Sequence, residues 1–148
     1  MKQIITKTEK QTFNLGKKMA KKLKGGEIVA LVGELGTGKT VFIKGLAAEL
    51  GIKKHITSPT FVLLKNYRIK NQKSKIKNLC HIDAYRLTDG QQLVDIGVLD
   101  YFNQPNTVCV IEWADRVKSI LPKKRIDISF KHGKRENERI LKISNSPF

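Results

Sequence analysis

One eight-residue stretch, Gly33-Glu34-Leu35-Gly36-Thr37-Gly38-Lys39-Thr40, constrains this chain more than any other. It satisfies G-x-x-x-x-G-K-[ST], a phosphate-binding pattern, at every fixed position. Its flanks fit as well. Ile28-Val29-Ala30-Leu31-Val32 is a continuous apolar run that reads as a buried parallel strand. After the loop, Phe42, Ile43, Leu46, Ala47 and Leu50 recur at helical spacing, and Gly51 is a stop signal. Phosphates need many donors at close range. Gly33, Gly36 and Gly38 leave no side chain in the way, so successive backbone N–H groups can turn inward as an anion nest. The helix starting near Lys39 points its positive end at the same anion. Lys39 can reach the β and γ phosphates, and the Thr40 hydroxyl can hold Mg²⁺.

A chain of 148 residues is long enough for one domain with a real core. No apolar run approaches the length of a membrane span. The start, Met1-Lys2-Gln3-Ile4-Ile5-Thr6-Lys7, is basic but lacks the apolar segment of a signal peptide. Cys80 and Cys109 lie in strand-like runs without metal-type spacing, so they are expected as buried thiols in a reducing cytoplasm. The net charge of +16 fits an acidic partner such as RNA, the nucleotide alone, or simply a composition rich in Lys, Ile and Asn.

In chain order, Thr8-Glu9-Lys10-Gln11 fits a capping box that opens a helix to about Lys24. Leu15, Met19 and Leu23 form its inward stripe, and Gly25-Gly26 ends it. Beyond the loop and its helix, Pro59 biases Ser58 away from helix, and Phe61–Leu64 reads as a strand. Hydroxyls in such a loop suit either sensing of a γ-phosphate and its metal or an ordinary turn beside Pro59. Lys65 to Asn78 carries six cations and no acid, with Asn71-Gln72 as a hairpin tip. That pattern suits a solvated edge or a phosphate-backbone contact. Thr88-Asp89-Gly90-Gln91 opens a helix with Leu93, Ile96 and Leu99 inward. Arg125–Phe130 and Arg139–Ile143 read as a terminal hairpin around His132-Gly133-Lys134-Arg135.

Two further apolar strands end in acids, Leu79–Asp83 and Val108–Glu112. Ligands in open α/β sheets bind at the carboxyl ends of strands. A carboxylate there is what a phosphate-loop ATPase needs to hold Mg²⁺, and Asp83 and Glu112 both qualify. These elements predict a single α/β domain of the three-layer P-loop NTPase fold, with a central mostly parallel sheet and antiparallel hairpins. No Asn-Lys-x-Asp base-reading motif is present, which argues against a Ras-like GTPase. An ATPase, a small-molecule kinase and a nucleotide-dependent RNA-binding module all remain compatible with the loop alone.

An ordered set of motifs narrows this. Glu9-x-x-Thr12, the Gly33–Thr40 loop, Ser58-Pro59-Thr60-Phe61, His81-x-Asp83-x-Tyr85-Arg86-Leu87, Gly97 with Asp100-Tyr101, and Ile111-Glu112-Trp113 span nearly the whole chain. In this order and spacing the chain resembles the TsaE (YjeE) family, small bacterial ATPases of tRNA threonylcarbamoyladenosine formation. The resemblance implies slow ATP hydrolysis with Mg²⁺, coupled to a TsaD–TsaB transferase complex, with tRNA met indirectly through that complex. It implies Leu35 to Thr40 on the triphosphate, Thr40 and Glu112 on Mg²⁺, and Asp83 at the γ-phosphate side. It also implies Ser58-Pro59-Thr60 as a switch, Trp113 near the site, Glu9 to Thr12 beside the adenine, and Arg135 on the nucleotide. The family's usual Glu-Trp-Pro is Glu112-Trp113-Ala114 here, which should soften that turn.

Overall fold

The apolar run Ile28–Val32 becomes β2 at the middle of a seven-stranded sheet in the computed structural model, which describes residues 1–148. In chain order the elements are β1 (Lys2–Thr6), α1 (Glu9–Lys22), β2, α2 (Lys39–Glu49), β3 (Leu64–Arg68), β4 (Asn78–Asp83), α3 (Gln91–Asp95), α4 (Val98–Phe102), β5 (Thr107–Glu112), a 3-10 stretch (Ala114–Ile120), β6 (Ile126–His132) and β7 (Arg139–Ser144). The strand order is β1-β7-β6-β2-β5-β4-β3. The inner strands β6, β2, β5 and β4 pair in parallel, while β1–β7, β6–β7 and β3–β4 are antiparallel. The sheet is therefore mixed, and the expected parallel character belongs to its centre, where both faces are covered.

Alternation along each inner strand divides the core in two. Val29, Leu31, Leu79, Val108 and Val110 face one side and pack with Leu15, Met19, Phe42, Ile43 and Leu46 of α1 and α2. Ile28, Ala30, Cys80, Ile82, Cys109 and Ile111 face the other and pack with Leu93, Val98, Phe102 and Val117. Helices, sheet and helices thus make three layers. Phe42, Leu46 and Met19 are fully buried. Each such side chain contributes roughly 1.5–3 kcal/mol relative to exposure.

The two helices of the first layer interlock through glycines. A Cβ on Gly16 of α1 would lie 2.1 Å from the Phe42 carbonyl oxygen, and one on Gly45 of α2 would lie 1.9 Å from that of Phe13. No other residue fits at either position, so the backbones themselves form the contact. At the start of α1, the Thr8 hydroxyl accepts the Gln11 N–H at 3.1 Å, while Gln11 Oε1 accepts the Lys7 N–H at 2.7 Å. The reciprocal bond therefore forms one residue earlier than a capping box places it. Cys80 and Cys109 are directly opposed on β4 and β5, free and buried. Their hydrogen bond, with burial, pushes the Cys80 thiol pKa up.

Lys2–Thr6 forms the edge strand β1 against β7. Two sequence expectations need correcting. Phe61–Leu64 is a turn up to Leu63, and the strand begins at Leu64. Leu63 is left-handed at φ 67° and its N–H bonds the Pro59 carbonyl at 2.8 Å, so Phe61 and Val62 project into solvent. The helix after Thr88 is two short helices split at Gly97, which takes φ 89°. That break turns Val98 and Phe102 inward and leaves Ile96 and Leu99 exposed.

Candidate functional site

The carboxyl ends of β4 and β5 and the loop after β2 meet the amino ends of α1 and α2 around a cavity of about 440 Å³. Gly38 makes the entry to α2 possible. It takes φ 97° at the N-cap, and a Cβ there would stand 3.3 Å from the Thr12 methyl. Lys39 and Thr40 follow as the first residues of the helix and line the cavity with Gly36, Gly38 and Leu35. Gly33 and Thr37 do not line it and shape the loop instead. The Thr37 hydroxyl donates to the Glu34 carbonyl at 2.6 Å, and the Gly33 carbonyl accepts from the Lys39 ammonium. Lys39 also donates to the Glu34 carbonyl at 2.8 Å and lies 4.5 Å from the centroid of the Trp113 ring. Burial lowers the Lys39 pKa, and the nearby charges of Glu112 and Asp83 offset only part of that.

Glu112, at the end of β5, is 3% exposed. Its Oε2 accepts from Ser58 Oγ at 2.8 Å and from His81 Nε2 at 2.8 Å, while Oε1 accepts from Thr40 Oγ1 at 3.3 Å. Burial alone would push this carboxyl up. The His81 bond and charge, the Ser58 hydroxyl and the Lys39 charge outweigh burial and hold it below the ordinary range. Asp83 stands beside Glu112 in register on β4. It takes different partners: the Tyr85 N–H at 2.9 Å and the Thr60 hydroxyl at 3.2 Å.

The donor set decides which acid suits a metal. Thr40 Oγ1 lies 3.4 Å from Ser58 Oγ and 3.3 Å from Glu112, so two hydroxyls and one carboxylate converge. No group of three or more His, Cys, Asp or Glu side chains is placed to hold a metal. A hard oxygen set with a single carboxylate suits Mg²⁺, which keeps waters and takes its remaining ligands from phosphates. The residues present fit Mg²⁺ with a nucleotide, and of the two acids it is Glu112 that the Thr40 hydroxyl bonds.

Trp113 follows Glu112 in the left-handed region at φ 57°. Its ring lies 5.0 Å from that of Tyr85 and 5.0 Å from the Arg116 guanidinium. The Tyr85 and Trp113 rings meet at a tilt of 53°, and these two neighbours flank the Trp113 ring beside the turn that lacks the proline. Glu9 and Thr12 of α1, with Ser58 and Thr60, also line the cavity. Pro59 does not, though its carbonyl anchors the turn beneath. Arg135 does not line it either; it is exposed at the tip of the β6–β7 hairpin. Arg139 lines the cavity in its place, together with Asn137. The pairing of His132 with Arg139 leaves residues 133–138 outside the sheet and brings the first residue of β7 beside Gly38.

His81 has no role that its motif alone implies. It is fully buried and bonded to the same carboxylate oxygen as Ser58. The signal was period two: His81 and Asp83 share one face of β4, the face that Glu112 shares on β5.

Comparisons with known proteins cover most of the chain. The family model for threonylcarbamoyl adenosine biosynthesis protein TsaE matches residues 6–141. The tRNA threonylcarbamoyladenosine biosynthesis protein TsaE of Treponema pallidum is 39% identical over 127 residues, covering 86% of this chain and 89% of that one. The protein of the same description from Bacillus subtilis is 37% identical over 133 residues, covering 88% and 79%. The crystal structure of Bacillus subtilis YdiB superposes with a TM-score of 0.74 at 32% identity, covering 95% of this chain and 83% of that one.

Proposed function

This chain belongs to the TsaE family of tRNA threonylcarbamoyladenosine biosynthesis, and from that premise we propose that it is a cytoplasmic Mg²⁺-dependent ATPase that regulates a TsaD–TsaB transferase complex. The single observation that carries the reading is the meeting of Lys39, Thr40 and Glu112 at the glycine loop, on one cavity.

Each residue then has a physical task. The backbone N–H groups from Leu35 to Thr40 and the positive end of α2 bind the phosphates. Lys39 exchanges its two carbonyl acceptors for phosphate oxygens, which are stronger partners for an ammonium. Thr40 and Glu112 would hold Mg²⁺, which when bound neutralises charge developing on the phosphates. Asp83, fixed by Thr60 and the Tyr85 N–H, faces the same cavity and is placed to orient a water. Ser58 couples the loop before Pro59 to the metal acid, so a change at the γ-phosphate reaches the Ser58–Val62 turn. That turn exposes Phe61 and Val62, and Leu35 is exposed on the same loop as the site. Exposed apolar side chains beside a nucleotide-sensing turn suit a protein partner that reads the bound state. Contact with tRNA would then pass through that complex. No helix is long and apolar enough to cross a membrane.

The test measures ATP hydrolysis by the purified chain alone and with TsaD, TsaB, tRNA and a threonylcarbamoyl donor, while adenosine modification is followed. Stimulated hydrolysis with repeated rounds of modification is the expected result. Hydrolysis indifferent to the complex, with modification the same when this chain is left out, would overturn the regulatory reading.

A further inference from the structure

Glu112 does not offer its two oxygens equally. Oε2 is saturated by two short bonds, from His81 Nε2 and Ser58 Oγ, both at 2.8 Å. Oε1 has only the longer contact to Thr40 at 3.3 Å. A carboxylate accepts and does not donate, so Nε2 of His81 bears a proton. The other ring nitrogen, Nδ1, is buried without any partner. A half-satisfied imidazole inside a fold is a cost to stability that an apolar side chain of similar size would avoid. The ring is therefore better explained by what it does to Glu112 than by packing.

The two groups on Oε2 also differ in footing. Ser58 stands on a loop outside any helix or strand, whereas His81 is in the interior of β4, paired on one side with Lys65 and on the other with Val110. A switch loop that moves takes the Ser58 bond with it. The His81 bond stays.

We propose that His81 is a positioning residue that pins Oε2 of Glu112, so that Oε1 is the oxygen presented beside Thr40 to the metal. The inference rests on the Mg²⁺ site proposed above. Outer partners of metal-binding carboxylates act in this way, and their loss typically costs roughly 10–100-fold in metal affinity or activity.

The experiment uses adenosine diphosphate as probe, so that no turnover is needed. Calorimetry gives its Kd with chelator and with Mg²⁺, and the ratio is the metal coupling. For His81→Leu the coupling is expected to fall roughly ten-fold, within the range for lost outer partners. Its Kd in chelator should stay within about twofold of the unsubstituted chain, because bonds to phosphate from the loop are untouched. His81→Gln should recover most of the coupling, since its amide nitrogen reaches about where Nε2 lies. His81→Asn, whose amide falls short, should not. If His81→Leu does not fold, the Gln and Asn pair decides alone. Coupling equal in all variants and the unsubstituted chain would overturn the positioning role and leave the metal site standing. An unsubstituted chain with no coupling would overturn the metal site itself, and this inference with it.

Discussion

The two ends of the sheet treat charge in opposite ways. At the carboxyl ends of β4 and β5, Lys39, His81, Asp83 and Glu112 are all at least 95% buried and bonded to one another, to hydroxyls or to backbone. At the other end, the connection from β3 to β4 carries Lys70, Lys73 and Lys75 into water, and none of the six cations between Lys65 and Lys77 forms an ion pair. Lys77 turns back only to the neutral carbonyls of Asn71 and Gln72. The difference teaches where the +16 net charge has chemical content. Buried charges cost so much to desolvate that each needs specific partners, and those partners define a site. Exposed charges are screened within about 8–10 Å and can be exchanged one for another.

Four measurements break or sharpen that contrast. The largest effect belongs to Glu112→Gln. It should leave adenosine diphosphate binding in chelator nearly unchanged and lower Mg²⁺-dependent ATP turnover by roughly 10²–10³, the range for losing one charge-stabilising group. Normal turnover in this variant would move the metal role to Asp83. Next comes Lys39→Ala, which removes a charge-assisted donor and should weaken adenosine diphosphate by about 10–100-fold in calorimetry.

A smaller effect concerns acid. Glu112 is held below the ordinary carboxyl value of 4.5. Its carboxylate therefore adds stability that is fully present above that value and is lost as pH falls through the depressed folded one. In urea unfolding at stepwise lower pH, the gap between the unsubstituted chain and Glu112→Gln should shrink. A gap that widens would contradict the direction. The smallest effect belongs to the far end. Lys73→Ala with Lys75→Ala should change unfolding free energy by less than about 0.5 kcal/mol and leave adenosine diphosphate binding as it was. A clear loss of affinity there would show that the two ends are electrostatically linked.

Much of the site is legible in the chain because local rules write it. Gly33 to Thr40, the apolar run before it and the helical spacing after it each point to one geometry, and the structure forms that geometry. Asp83 and Glu112 are legible as strand ends. The different surroundings of the two acids are not, since those of Glu112 depend on the loop residue Ser58 and on His81 reaching it across 31 positions of sequence. Arg139 is hidden for a similar reason: hairpin register, not composition, decides which basic residue faces the cavity, and Arg135 is the more conspicuous one in a loop. β1 is hard to read in the chain because Lys2–Thr6 is short and mostly polar, and what holds it is distant in sequence or side-chain specific: pairing with β7, Ile4 on the core and the Thr6–Thr12 hydroxyl bond. The strand misread at Phe61 follows from apolar residues exposed on a turn, where burial periodicity gives no guidance.

The glycine contact between α1 and α2 has a mechanical consequence. Two helices whose backbones touch at Gly16 and Gly45 have no side-chain layer between them to slide on. Glu9 and Thr12 head one helix, and Lys39 and Thr40 head the other. These four residues therefore head one locked pair of helices. With a nucleotide bound as proposed, closure is expected from the facing loop of Ser58 and Thr60, and a spectroscopic ruler between that loop and α2 should find the change in distance.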